Sequence, residues 1–390
     1  MTGPAHAAVL MPNYPVPAVT FVRGEGTVLW DEQGKRYLDF LAGIGVTSIG
    51  HANPVVADAI SAQARTLLHV SNLYGTTVGP ELAATLDRLI GGPAGKVFFA
   101  NSGAEANECA IKLARKWGGR GRHVVLSAYG SFHGRTLATL HATGQPSRHE
   151  AFQPLPEGFR HVAYSDVPAL DAAITPDVVA VLLETVQGEG GVQVPDPAYL
   201  ACVRRLCDER SVLLIVDEVQ TGLGRTGRWF GFQHAGIQPD VVTLAKALGN
   251  GVPIGACWAR AEVADVFVPG DHGTTLGGQP LAASAARAVL AEMERLDVPT
   301  RATSAGERLA RGLAALPGVA SVRGKGLLLA AELEAPGTAR AAAAAALDAG
   351  LVVNPVTDSA LRFEPSLLVS DDEIDEALAI LGGVLARADR

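Results

Sequence analysis

Along the middle of the chain, short runs of apolar residues alternate with segments whose apolar positions recur every three to four residues. The runs are Lys96–Ala100, His123–Ser127, Val178–Glu184, Val212–Asp217, Val241–Ala245 and Ile254–Ala259. Each is nearly continuous in apolar residues rather than alternating, which predicts strands covered on both faces. Between them, Tyr199, Leu200, Val203, Leu206 and Cys207 form a helical stripe, with Asp196 as N-cap and Pro197 as the first helical residue. This order predicts an α/β fold: a mostly parallel sheet with helices on both sides.

The two ends read differently. Residues 19–50 have hairpin character, with Gln33-Gly34 as a turn. Beyond about residue 300 come a helix, the run GKGLLLAAEL, an Ala-rich helix over 341–346, and a last helix. That helix opens on the capping box Ser370 to Glu373 and continues through Ile374, Leu378, Leu381 and Leu385. The expected layout is a large domain over 51–300 and a smaller α+β domain built from 1–50 and 301–390.

Composition narrows the function. The chain has 390 residues, 48% hydrophobic and 18% charged, enough for a large core. A net charge of −8 without any basic run argues against nucleic acid as a partner. Apolar runs such as Val178–Leu183 fall far short of the ~18 residues a membrane span requires. The N-terminus lacks a basic region before an apolar stretch, so no signal peptide is expected. Cys109, Cys202, Cys207 and Cys257 form no CxxC pair. They read as free thiols in a reducing cytoplasm, with no metal site.

In open parallel sheets, ligands bind outside the carboxyl ends of the strands. Asn101–Glu105, Ser131–Arg135, Glu184–Glu189, Asp217–Gln220 and Lys246 all follow expected strands. Ser102, Gly103 and Ala104 open a helix whose first N–H groups could seat a phosphate, although taken alone an ordinary capped helix start is the favoured reading. Gly222 to Gly227 matches GxGxxG, but it does not follow a strand at once and opens no amphipathic helix. It reads as a structural loop.

Lys246 ends an apolar run, where an ammonium loses hydration. A salt-bridged surface lysine is the plain alternative; an amine of lowered pKa that condenses with an aldehyde is the functional one. Asp217 ends VLLIVD, 29 residues earlier, about one crossover unit away. An amine nucleophile, a phosphate seat and a buried carboxylate together suggest pyridoxal 5'-phosphate. Its ring nitrogen, once protonated, would make the Asp217 carboxylate tolerable in a dry site. Side-chain alternation predicts that Glu218 points away from Asp217.

These motifs, in this order, resemble the class III (ornithine-type) aminotransferases: Asn101-Ser102-Gly103-Ala104-Glu105-Ala106, Phe132-His133-Gly134-Arg135-Thr136, Asp217-Glu218-Val219-Gln220-Thr221-Gly222 and Leu244-Ala245-Lys246. The likeness covers nearly the whole chain. Ser71-Asn72-Leu73-Tyr74 and the lead-in through WDEQGKRYLDFLAGIGV are most similar to the members that act on acetylornithine. The resemblance implies the type I fold of pyridoxal-phosphate enzymes and a homodimer with shared active sites. It also implies transfer of an amino group from a small-molecule amine donor to 2-oxoglutarate. It makes Lys246 the catalytic lysine and Asp217 the ring-nitrogen partner. Gln220 falls beside the ring hydroxyl, Phe132 stacks on the ring, and Glu218 and Val219 lie in the cofactor-binding motif. Ser102, Gly103 and Ala104 hold the phosphate, joined by Thr275 of the other subunit. Arg135, Thr274, Glu184, Glu189 and Arg362 become substrate contacts, with Arg135 and Arg362 binding carboxylates and Glu189, with Glu184, shielding Arg362.

The chain departs from the family pattern at Thr185, Thr274, Gln279 and Glu364. Glu364 stands two residues from Arg362, where it would weaken or retune carboxylate recognition. Alternative readings are a racemase or decarboxylase on the same cofactor, another ω-amine as donor, and a non-catalytic cofactor-binding protein.

Overall fold

The computed structural model describes residues 9–388; residues 1–8, which the signal-peptide reading includes, and 389–390 lie outside the described residues. Three strands open the chain: β1 (Phe21–Glu25), β2 (Val28–Asp31) and β3 (Arg36–Asp39). The turn at Gln33-Gly34 is present. Gly34 sits at φ 81, and Asp31 Oδ1 accepts from the N–H groups of Gln33 and Lys35, both at 2.9 Å.

The central sheet uses β4 (Gly95–Ala100), β5 (Val124–Ala128), β6 (Phe159–Val162), β7 (Val178–Glu184), β8 (Leu213–Asp217), β9 (Val241–Leu244) and β10 (Gly255–Arg260). Their order across the sheet is β4-β10-β9-β8-β7-β5-β6, and only β10 runs antiparallel to its neighbours. The carboxyl ends of β4, β5, β7, β8 and β9 therefore meet at one edge. The apolar run of β8 explains its place at the centre. Leu213 and Ile215 pack with Cys109, Ala110 and Leu113 of the helix Gly103–Gly118. Leu214 and Val216 pack with Leu200, Val203 and Leu206 of the helix Tyr199–Glu209 on the other face. Burying each such side chain contributes about 1.5–3 kcal/mol.

The helix expected from Asp196-Pro197 begins later, at Tyr199. Asp196 instead closes the preceding turn, its Oδ1 accepting from Ala198 N at 2.9 Å and its carbonyl from Tyr199 N at 2.9 Å. Strand β6 carries the polar Arg160 and His161 at the sheet edge, which hides it from an apolar-run reading.

Five short strands follow: β11 (Val319–Lys325), β12 (Leu328–Leu333), β13 (Leu351–Val352), β14 (Asn354–Pro355) and β15 (Ala360–Phe363). One four-stranded sheet, β1-β2-β3-β13, joins the two ends of the chain, and β11-β12-β15-β14 forms another. The final helix, Asp371–Ala388, has its capping box. Ser370 Oγ accepts from Glu373 N at 3.2 Å, and Glu373 Oε2 from Ser370 N at 2.8 Å. No described helix is long and apolar enough to cross a membrane.

Candidate active site

Asp217 is the last residue of β8, in register with Glu184 on β7 and Thr243 on β9. Lys246 lies two residues beyond the end of β9, at φ 45. A left-handed conformation in a non-glycine residue costs on the order of 1 kcal/mol or more, and such strain collects where a side chain must be aimed. The loops after the strands enclose a cavity of about 400 Å³, with Lys246, Asp217, Gly103 and Phe132 on its wall. A larger depression of about 810 Å³ lies between the helices Ala339–Asp348 and Asp371–Ala388. Its charged residues Glu334, Asp348 and Arg387 are exposed and, among the described residues, no acid or nucleophile is buried there, so the chemistry belongs to the smaller cavity.

One end of the cavity is the start of the helix Gly103–Gly118. Ser102 is its N-cap, with Oγ accepting from Glu105 N at 3.2 Å. Glu105 reaches back to accept from Asn101 N at 2.8 Å. The N–H groups of Gly103 and Ala104 have no intrahelical partner and line the cavity, at the positive end of the helix dipole. Gly255 on β10 lets this turn come close: a Cβ there would fall 2.2 Å from the Ser102 carbonyl oxygen. Val219 packs over Gly103, where a Cβ would meet both valine methyl groups at 3.0 Å.

Asp217 is 4% exposed and held without any arginine. Its Oδ2 accepts from Asn107 Nδ2 and from His133 Nδ1, both at 2.8 Å, and its Oδ1 from Val219 N at 3.0 Å. Asn107 is itself fixed, donating to His133 O at 2.8 Å and accepting from Thr243 Oγ1 at 2.7 Å. Oδ2 is thus pinned, whereas Oδ1 accepts a single bond and keeps capacity for a second donor. The next carboxylate goes the other way. Glu218 accepts from Thr221 Oγ1 at 2.6 Å, Gly231 N at 3.0 Å and Phe232 N at 2.9 Å, and it does not line the cavity. Its place in the motif suggested a cofactor contact; the strand alternation gives it a scaffolding position instead. Burial, with the Asp217 charge adding, pushes its carboxyl up to about 7.

At the far end, Arg362 is fully buried and donates from Nη1 to Glu189 Oε1 at 2.8 Å and from Nε to Asn354 Oδ1 at 3.0 Å. Burial works against its charge, but Glu364 and Glu189 outweigh it and hold its pKa above the usual value. Burial raises the Glu189 carboxyl while Arg362 lowers it further, so it lies below the ordinary range. Glu184 does not touch Arg362. It accepts from Phe132 N at 3.0 Å and Gly188 N at 3.3 Å, and burial pushes it up to about 7. Glu184 thus makes no hydrogen bond to Arg362 and fixes Phe132 through its backbone, while its charge adds to those that raise the Arg362 pKa.

Arg135 is exposed, with its Cζ 5.6 Å from the Phe132 ring centroid, and Arg148 lies at 5.8 Å from the same ring. Gln220 lines the cavity and donates to Glu364 Oε1 at 2.7 Å. Thr274 Oγ1 accepts from Asn101 Nδ2 at 3.2 Å without reaching the cavity wall. Thr275 lies outside it too, in a separate small depression with Asn72 and Tyr74. Burial pulls the Lys246 amine below its ordinary pKa, opposed by Glu364 and reinforced by Arg362.

The sequence reading gave no role to Asn107, Arg148 or His133. The one signal for Asn107 was its position four residues after Gly103, on the buried face of that helix.

Two open N–H groups at a helix N-terminus, a carboxylate with an oxygen to spare and an amine of lowered pKa fit a phosphorylated pyridine aldehyde. Comparisons with known proteins agree. Residues 10–385 match the family described as Aminotransferase class-III. An acetylornithine aminotransferase of Gloeobacter violaceus is 50% identical over 388 residues, covering 97% of this chain and 96% of that protein. The crystal structure of an ornithine aminotransferase from Toxoplasma gondii superposes with a TM-score of 0.93 at 34% identity, over 99% of this chain and 94% of that one. That of an N-acetylornithine aminotransferase from Stenotrophomonas maltophilia gives 0.85 at 36% identity, over 97% and 98%. With the family match spanning residues 10–385 and half of all positions identical to the Gloeobacter violaceus relative, the chain belongs to the class III aminotransferases and is an enzyme that works with pyridoxal 5'-phosphate.

Proposed function

We propose that the chain moves the terminal amino group of N2-acetyl-L-ornithine to 2-oxoglutarate, giving N-acetylglutamate 5-semialdehyde and glutamate. The observation that carries this reading is the Arg362–Glu189 contact at 2.8 Å, at the far end of the cavity that holds Lys246. A guanidinium already paired with a carboxylate does not attract a second anion, which suits a donor that brings no carboxylate to that end. Glu189 is the partner that can leave. It makes one bond to Arg362, its side chain is 28% exposed and it sits on a loop. Its departure would free Arg362 for the carboxylate beside the keto group of the acceptor, while Arg135 takes the other carboxylate in both half-reactions.

When bound, the cofactor supplies an aldehyde to receive the amino group and an electron-poor ring to spread the charge left on the donor carbon. The chain supplies the rest. The N–H groups of Gly103 and Ala104, with Ser102, would anchor the phosphate. The Asp217 carboxylate, oriented by Asn107 and His133, would hold a proton on the ring nitrogen. Phe132 would stack on the ring, Val219 would close the wall beside Gly103, and Gln220 would stand at the ring hydroxyl. Burial favours the neutral form of the Lys246 amine, whose Nζ would take a proton from the donor carbon and return it one position away.

The same reading makes the enzyme a homodimer. Thr275 is off this chain's cavity, consistent with a contact to the partner's cofactor. Leu68, Leu73, Tyr74 and Leu276 are exposed at 52%, 85%, 73% and 54%, the kind of apolar surface that a subunit interface covers. A cytoplasmic location fits its four free thiols.

The test is a set of single half-reactions. Holoenzyme is mixed with N-acetylornithine, ornithine, N-succinylornithine or 4-aminobutyrate, and the change in cofactor absorbance is timed. N-acetylornithine should react fastest and 2-oxoglutarate should restore the starting spectrum. A faster reaction with another amine, or no dependence on the keto acid, overturns the assignment.

A further inference from the structure

We infer that Glu364 is a second, fixed counter-ion to Arg362 that sets how tightly the enzyme holds the carboxylate of its keto-acid acceptor. The inference rests on the proposed role of Arg362 and extends it to a residue outside the matched motifs. Glu364 follows β15, two residues beyond Arg362, so both side chains leave the chain on the same face. Both are 0% exposed.

The two carboxylates around Arg362 differ in what holds them. Glu189 is partly exposed and bonded to Arg362 Nη1 alone. Glu364 is enclosed. Its Oε1 accepts from Gln220 Nε2 at 2.7 Å and lies 3.1 Å from where a Cβ on Gly45 would be. Its Oε2 lies 3.2 Å from Arg362 Nε, close enough for direct attraction. The Nε–H, however, is aimed at Asn354 Oδ1, and Oε2 accepts no hydrogen bond. Glu364 therefore has no route out when an acceptor arrives, whereas Glu189 has one.

Arg362 Nη2 completes the picture: it is buried and, among the described residues, donates to nothing. A carboxylate that displaces Glu189 meets Nη1 and Nη2 as a ready fork. It also meets, a few ångströms away, the negative charge of Glu364, which water cannot screen. Glu364 thus weakens binding of the acceptor more than that of the donor, which places no carboxylate there. The effect speeds release of glutamate, whose α-carboxylate occupies the same fork.

The experiment compares wild-type holoenzyme with Glu364→Gln and Glu364→Ala. Binding of glutarate, an unreactive five-carbon dicarboxylate, is measured by calorimetry beside the KM values for 2-oxoglutarate and N-acetylornithine. Thermal melts establish that each variant is folded. Both substitutions should tighten glutarate by roughly tenfold or more and lower the acceptor KM in parallel, by a larger factor than any change in the donor KM. In an Arg362→Gln background the gain should vanish, because Glu364 acts through Arg362. Unchanged or weaker glutarate binding in both folded variants overturns the inference, as does a gain that survives Arg362→Gln. Tighter glutarate binding in an enzyme that ignores 2-oxoglutarate as acceptor would sink the functional assignment and leave the role of Glu364 standing.

Discussion

Replacing Glu218 with glutamine should change how the stability of the enzyme depends on pH. Glu218 is 1% exposed and accepts three hydrogen bonds, yet burial and the neighbouring Asp217 charge raise its carboxyl from 4.5 to about 7. Between those two values the folded chain keeps a proton that the unfolded chain has released. Stability from this group is therefore complete below about pH 4.5 and is lost as pH rises through 7. A difference of 2.5 units corresponds to about 3 kcal/mol, with a slope of up to about 1.4 kcal/mol per pH unit. Glutamine resembles the protonated acid and does not titrate. Urea unfolding of both proteins at pH 5, 6, 7 and 8 isolates the effect, since Glu184, also raised to about 7, is common to both and cancels. Glu218→Gln should gain on wild type by roughly 2–3 kcal/mol from pH 5 to pH 8 and then level off. A difference that is flat with pH, or that grows in favour of wild type, would refute the reasoning.

Gly255→Ala should leave a folded protein that loses its cofactor, because the new Cβ would sit 2.2 Å from the Ser102 carbonyl and shift the phosphate seat. Equilibrium dialysis should show affinity weakened by about tenfold or more, roughly 1.4 kcal/mol, and unchanged affinity would contradict it. Asp217→Asn keeps the shape but removes the charge facing the ring nitrogen and sets an amide N–H against one of its present donors. Rates of the amine half-reaction should fall by roughly 10- to 100-fold, the worth of one charge-assisted bond of about 1.5–3 kcal/mol, and a wild-type rate would count against it.

How much of this could be read from the sequence depended on distance along the chain. Strands β7 and β8 were legible because residues such as Val181 and Leu214 must be buried on both faces, and burial leaves a continuous apolar run. Lys246 and Asp217 stood out because a charge at the end of such a run needs a reason. The Ser370–Glu373 cap was legible because its partners are three residues apart. What stayed hidden was set by partners far away in sequence. Asn107 meets Asp217 across 110 residues, and Gln220 meets Glu364 across 144. No local pattern announces such pairs; only the folded sheet edge brings them together. Glu184 illustrates the same point, since its bond to Phe132 N depends on where the loop after β5 returns.

Arg225 shows a rejected motif acquiring a position. It belongs to the Gly222–Gly227 loop, which carries no nucleotide signature. The structure places it fully buried, donating to Leu327 O at 3.1 Å, Pro365 O at 2.6 Å and Ser48 Oγ at 3.0 Å. It thereby ties the segment holding Arg362 and Glu364 to the residues beside Gly45.

The central claim is that the Lys246 amine is the group that engages the cofactor aldehyde. Holoenzyme treated with borohydride, which converts an aldehyde–amine linkage into a stable secondary amine, should yield one modified peptide on proteolysis and mass analysis. The added mass should map to Lys246 and be absent after prior exposure to the amine donor. Mass added at another lysine, or a Lys246→Ala variant that turns over at the wild-type rate, would contradict the account.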